Sequence, residues 1–176
     1  MAQETRWLDD QEREAWISLS QLMFLLPSAL DAQLLRDNNI TLFDYMVLSG
    51  LSMSEGRTLR MSELARMIAS SLSRLSNVVK RLETRGLLRR EPDPCNGRYT
   101  VAILTDEGWD LVVKAAPGHV EAVRRYVIDG LTDEQIKALR EVACHVTARV
   151  QAGLGECTEG QVSEGDDQRS STRARR

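Results

Sequence analysis

The run from Met61 to Thr105 constrains the fold more than any other part of this chain. Ser62 to Ile68 has helical apolar spacing, Ala69-Ser70-Ser71 makes a tight turn, and Leu72 to Arg85 is a second helix. Ser71 supplies that helix with an N-cap and Gly86 with a stop. Leu87 to Glu91 reads as a strand and Pro92 to Gly97 as a loop. From Arg98 to Leu104, Tyr99, Val101 and Ile103 alternate with Thr100, Ala102 and Leu104, the pattern of a second strand. Asn96-Gly97 beside that alternation signals a hairpin, because both residues accept positive φ cheaply. Two helices of this size followed by a hairpin have the layout of a winged helix-turn-helix, a reader of double-stranded DNA.

The charge agrees with that layout. Between Arg60 and Arg98 nine basic residues face four acids (Glu63, Glu83, Glu91, Asp93), in a chain whose formal net charge is -3. A basic island inside an acidic protein is the electrostatic footprint of a phosphate-binding surface. Leu72, Leu75, Val79 and Leu82 form one stripe of the second helix and are expected to face the core. Ser73, Asn77, Lys80 and Thr84 then face outward, flanked by Arg74 and Arg81. Asn pairs with adenine, Arg with guanine and Ser with several base edges in a major groove, so Ser73, Arg74 and Asn77 are candidate base readers and the cap Ser71 a further DNA-binding candidate. Lys80, Arg81 and Arg85 lie further along and suit phosphate contacts, which set register. Arg98, next to the hairpin tip with Asn96, is placed for an adjacent minor groove. The plainer alternative for these residues is a solvated polar surface.

Around this lobe the pattern is helical. A first helix is expected from near Asp9 to Arg36, striped by Trp16, Leu19, Met23, Leu26 and Leu30 and kinked at Pro27. Thr41 caps a helix from Leu42 to Met53, Ser54-Glu55-Gly56 breaks it, and Thr58-Leu59-Arg60 suits a short strand. Thr105-Asp106-Glu107 opens a fifth helix reaching Asp129, interrupted at Pro117-Gly118. Thr132 to Gln135 is a capping box opening a sixth helix to about Val150. The expected organisation is a mainly α chain with a small β-hairpin wing (α+β), a winged lobe on a helical base. Residues 9–40 and 105–150 form a dimerisation base, 41–104 the DNA-binding lobe, and the Gly-, Ser- and charge-rich residues 151–176 a disordered tail. The apolar faces of the outer helices exceed what the lobe needs, so a two-fold partner is the better account of them.

Four stretches carry a family resemblance. Ser62-Glu63-Leu64-Ala65, Leu82 to Arg90, Pro92-Asp93-Pro94 and Leu104-Thr105-Asp106-Glu107-Gly108 together resemble the MarR family of bacterial transcription regulators, over roughly Ala15 to Val150. The resemblance implies a homodimer interlocked through the first, fifth and sixth helices, binding a palindromic operator. It also implies repression as the usual outcome and release by a small aromatic or phenolic effector. The family's wing usually carries Asp, any residue, Arg, with the Asp bracing the Arg; here those positions are Asn96, Gly97 and Arg98. Asn96 cannot make that ion pair, so Asn96-Gly97 is expected to hold Arg98 through turn geometry.

Other chemistry finds little footing. Trp16, Met23, Tyr45, Trp109 and His119 are candidates for an effector pocket, although large side chains at helical spacing are ordinarily core. No nucleophile–base pair, Gly-rich phosphate loop or carboxylate pair suggests catalysis, and no cofactor is expected. Cys144 and His145 point in different directions on one helix, so no metal site is expected. Cys95, Cys144 and Cys157 suggest neither a disulfide framework nor a zinc ribbon. The family's peroxide-sensing branch uses a cysteine near its first helix, and this chain has none before Cys95. The start lacks a signal-peptide layout and no apolar run approaches ~18 residues, so no membrane partner and a cytoplasmic location are expected. A winged-helix module for protein contacts, without specific DNA binding, is the alternative function.

Overall fold

The computed structural model describes residues 5–170, and side chains as far as residue 154. The chain forms two compact units, divided between Tyr126 and Val127. In the first, α1 (Asp10–Asn38), α2 (Leu42–Ser52), β1 (Thr58–Arg60), α3 (Met61–Met67), α4 (Leu72–Thr84), β2 (Leu88–Asp93), β3 (Asn96–Leu104) and α5 (Asp106–Val123) follow in order. The strands make one antiparallel sheet in the order β1-β3-β2.

Local chemistry accounts for most boundaries. Asp9 caps α1 in a reciprocal box with Glu12, and α1 ends at Asn39, whose left-handed φ of 53° an Asn tolerates. Thr41 and Asp44 make the same box at the head of α2. Gly86, at φ 74°, ends α4 and turns the chain into β2. At Gly108 a Cβ would lie 2.0 Å from the Leu87 carbonyl oxygen, so only glycine lets α5 start against the turn before β2.

The core of the lobe gathers Val47, Leu48 and Leu51 of α2, Leu64 and Ile68, Leu75, Val79 and Leu82 of α4, and Leu88, Ala102 and Leu104 of the sheet. A smaller cluster of Leu34, Ile40, Tyr45 and Ala115 joins α1, α2 and α5.

Several expectations are corrected. Pro117-Gly118 does not interrupt α5. Buried Ala115 and Ala122 hold the helix on both sides, and Gly118 lies against Gln33 of α1, where a Cβ would come within 3.2 Å of its amide nitrogen. The hairpin turn is Pro94-Cys95, with Asp93 paired to Asn96. Neither Asn96 nor Gly97 has positive φ, because the Asp93 side chain closes the turn by accepting the Cys95 N–H at 2.8 Å. The α1 helix, though never an unbroken apolar run, has an 18-residue window of mean hydropathy 1.2, enough by length and composition alone to cross a bilayer. Its polar interruptions are mild ones such as Ser18, Ser20 and Gln21.

In the second unit, Thr132 and Gln135 form the expected box, and α6 runs Asp133–Ser170, past the expected end at Val150. Gln151, Ala152 and Leu154 favour helix and no proline intervenes, so the helix propagates. Residues 171–176 of the expected tail lie outside the described residues.

Candidate nucleic-acid interface

The α3–α4 turn places α4 on the surface of the lobe. Ser71 caps α4 by accepting the Arg74 N–H at 3.3 Å. Ala69 takes φ 50° in this turn, a left-handed conformation that a Cβ disfavours. Leu75, Val79 and Leu82 are fully buried, while Ser73, Asn77, Lys80 and Thr84 are exposed on the opposite face. Leu72 departs from its expected place. It is 55% exposed, because it starts the helix before the core begins, and it lines a cleft toward the wing instead.

The basic residues of α4 divide. Arg81 binds Asp44 of α2, a carboxylate only 3% exposed that also accepts the Thr41 N–H at 3.1 Å. Arg74 lies over the Phe43 ring, 4.5 Å from its centre. Both sit on the flank of α4 that faces α2, and the structure turns them toward the protein. Lys80 and Arg85 stay exposed, with no ion pair among the described residues. Arg89 pairs with Glu91 at 2.7 Å, and Arg90 makes a two-pronged contact with Glu83, whose carboxyl it holds below the usual range.

On the wing, Arg98 is exposed and Asn96 Oδ1 accepts its backbone N–H at 3.2 Å. Asn96 thus holds the backbone of Arg98, as a side-chain turn rather than through positive φ. Asp93 Oδ2 accepts Arg60 Nε at 2.5 Å. Its carboxyl lies below the usual range because of the Cys95 N–H and, next, Arg60. Asp44, Arg60, Asp93 and Phe43 have no part in the site expected from sequence. Asp44 carried a signal in its place three residues after the cap Thr41, and Asp93 one in the Pro92-Asp93-Pro94 stretch.

Of the five candidate effector-pocket residues, one pair is in contact. Tyr45 and His119 meet with ring centres 4.5 Å apart, and burial pushes the His119 pKa down. Trp109 lies under Arg57, which bridges to Asp106 at 3.0 Å, while Trp16 and Met23 are about half exposed along α1. An open cleft of about 390 Å³ lies elsewhere, between Pro27 and Asp31 of α1, Phe43 and Met46 of α2, and Arg74. Cys95 and Cys144 are exposed free thiols.

Comparison with known proteins gives this geometry its class, a DNA-binding transcription regulator built on a winged helix-turn-helix. The MarR family model matches residues 38–98. The chain is 45% identical to Sco3205, a MarR family transcriptional regulator from Streptomyces coelicolor whose crystal structure is in complex with DNA. That similarity covers 82% of this chain and 90% of Sco3205, at a TM-score of 0.79. It is 40% identical to AbsC, another MarR family regulator from Streptomyces coelicolor, over 82% of this chain and 99% of AbsC, at a TM-score of 0.74. CouR from Rhodococcus jostii RHA1, bound to p-coumaroyl-CoA, shares the fold at 23% identity and a TM-score of 0.67, over 81% of this chain and 95% of CouR. No curated protein matches the chain. The chain belongs to the MarR family of transcriptional regulators, a family of DNA-binding proteins and not of enzymes.

Proposed function

We propose that this protein is a homodimeric, cytoplasmic repressor that reads a palindromic operator and is released from it by a small aromatic effector. The observation that carries the reading is the bare polar face of α4, Ser73, Asn77, Lys80 and Thr84, beside an exposed Arg98. Asn77 is the candidate for a bidentate adenine contact, Lys80 and Arg85 for phosphates, and Arg98 for the minor groove. Releasing Arg74 from Phe43 forfeits about 0.5–1 kcal/mol, less than a guanine contact returns, so Arg74 remains a base reader. Arg81 is withdrawn from the set by its buried partner.

Dimerisation is supported by apolar side chains left bare in each unit. Trp16, Leu19, Met23, Phe24 and Leu25 of α1 are exposed, as are Leu139, Val142, Val146 and Val150 of α6. Patches of this kind mark interaction surfaces. A small-molecule effector is supported by the ligand-bound structure of CouR and by that of PcaV from Streptomyces coelicolor with its natural ligand. Within the chain, buried His119 Nδ1 and Gln33 Oε1 have no hydrogen-bond partner among the described residues.

The test is enrichment of random duplexes on the purified full-length protein. A palindrome with half-sites about one helical turn (~10 bp) apart is expected. Asn77→Ala should lose one base preference, at about 1–3 kcal/mol per lost bidentate contact. Binding without sequence preference even in dilute salt would leave the protein-contact alternative standing.

A further inference from the structure

The wing carries two acids, Glu91 and Asp93, that phosphate binding by itself disfavours, and Asp93 is the buried one. Asp93 ends β2 at the irregularity just before the Pro94-Cys95 turn and is 6% exposed. Each oxygen has its own partner: Oδ1 accepts the Cys95 N–H at 2.8 Å and Oδ2 accepts Arg60 Nε at 2.5 Å. Arg60 belongs to β1, on the other side of β3 in the sheet, so its side chain spans the middle strand. There its guanidinium lies 5.0 Å from the centre of the Tyr99 ring, next in sequence to Arg98. The Arg60 backbone N–H in turn donates to Glu63 at 3.2 Å, at the head of α3. A continuous path of contacts therefore joins the wing tip to the first helix of the helix-turn-helix.

We propose that the Arg60–Asp93 pair is a latch that holds the wing tip against the helix-turn-helix and so sets where Arg98 meets DNA. Beyond Asp93 the hairpin has little else to fix it. Residues 94–100 are all exposed, and Asn96 restrains only the backbone of Arg98. The bracing that an Asp at position 96 would give is supplied here from position 93, through Arg60 and Tyr99 rather than by direct contact. Asp93 and Arg60 are positioning residues and Arg98 is the contact.

The latch rests on the reading that Arg98 touches DNA, and one set of variants separates the two. Asp93→Asn keeps an oxygen for the Cys95 N–H and removes the ion pair. It also removes a negative charge near the DNA face, which by Coulomb attraction alone would tighten binding. The latch demands the opposite sign. Affinities of the full-length protein for a duplex selected by the wild type from a random pool are measured across a salt series. Arg98→Ala should bind about tenfold more weakly and flatten the salt slope by about one unit. Asp93→Asn should lose about three- to tenfold, and the double variant should be no weaker than Arg98→Ala, since coupled residues are non-additive. If Asp93→Asn does not fold, as judged by circular dichroism, Arg60→Gln opens the latch from the other end and enters the same cycle. Binding by Asp93→Asn as tight as or tighter than wild type overturns the latch, and so do additive losses in the cycle. An Arg98→Ala protein with unchanged affinity and slope overturns the minor-groove reading and the latch together.

Discussion

Arg81→Met separates a scaffold arginine from a DNA-gripping one. Arg81 sits among the cations of α4, yet its guanidinium binds Asp44, which is 3% exposed. Removing it leaves a buried carboxylate with the Thr41 backbone N–H as the remaining donor to it among the described residues. Stranding one member of a fully buried pair costs about 3–5 kcal/mol. The Arg81 side chain is itself 53% exposed, so water screens and partly replaces it, and about 2 kcal/mol is the reasonable figure. At about 2–4 °C per kcal/mol for a chain of this size, Tm should fall by about 4–8 °C. Methionine keeps the apolar stem, which confines the loss to the charge contact. Adding Asp44→Asn removes the stranded charge but retains an acceptor for Thr41, and should recover about half of the loss. The assays are thermal unfolding by circular dichroism and a salt-dependent DNA titration on the same samples. A Tm unchanged by Arg81→Met, together with a salt slope lower by about one unit, would refute the scaffold assignment and return Arg81 to the phosphates.

Three other perturbations follow from local geometry. Gly108→Ala drives a methyl to 2.0 Å from the Leu87 carbonyl and 2.6 Å from Leu104, so urea unfolding should show a loss above ~4 kcal/mol, or no folded protein; a loss below 1 kcal/mol would mean the α5 start can shift freely. Ala69→Gly relieves a left-handed alanine at φ 50° and should add about 0.5–1 kcal/mol, the strain relief exceeding the extra freedom of the unfolded chain. His119 is half-buried against Tyr45 with its pKa pushed by that burial below the ordinary value, so the unfolded chain takes up a proton first. Its stabilising effect is complete above about pH 6.5 and declines as pH falls below that. Tm measured from pH 7.5 to 5.5 should drop, and His119→Gln should flatten the drop; equal slopes would exclude His119 as its source.

Features written in short-range chemistry were legible from sequence. The Thr41, Ser71 and Thr132 caps and the Gly86 stop depend on a few neighbouring residues, and the outward face of α4 follows from helical periodicity. Features that depend on contacts across the fold were not. Asn96-Gly97 has the composition of a turn, but Asp93 offers a better closure two residues earlier through a side-chain acceptor. Pro117 reads as a helix break, and packing on both sides of it overrides the local penalty. The partners of Arg74 and Arg81 lie on α2, more than thirty residues back, where no spacing within α4 can reveal them.

The same distinction changes what the basic island means. Nine cations counted between Arg60 and Arg98 suggest a broad positive surface. Arg60, Arg81, Arg89 and Arg90 are held by Asp93, Asp44, Glu91 and Glu83, and Arg74 rests on Phe43. Among the described residues no ion pair holds Arg66, Lys80, Arg85 or Arg98. The pairs of Arg60, Arg81 and Arg90 brace α4 and the wing to the lobe, while the cations outside ion pairs have the charge to give to phosphates. The count of cations therefore overstates how many counterions DNA binding can release, and the salt slope per lobe should track the unpaired group rather than all nine. A surface this economical in free charge should bind weakly wherever its polar face finds the wrong bases, so affinity for random duplex should fall well below that for a selected one as salt rises.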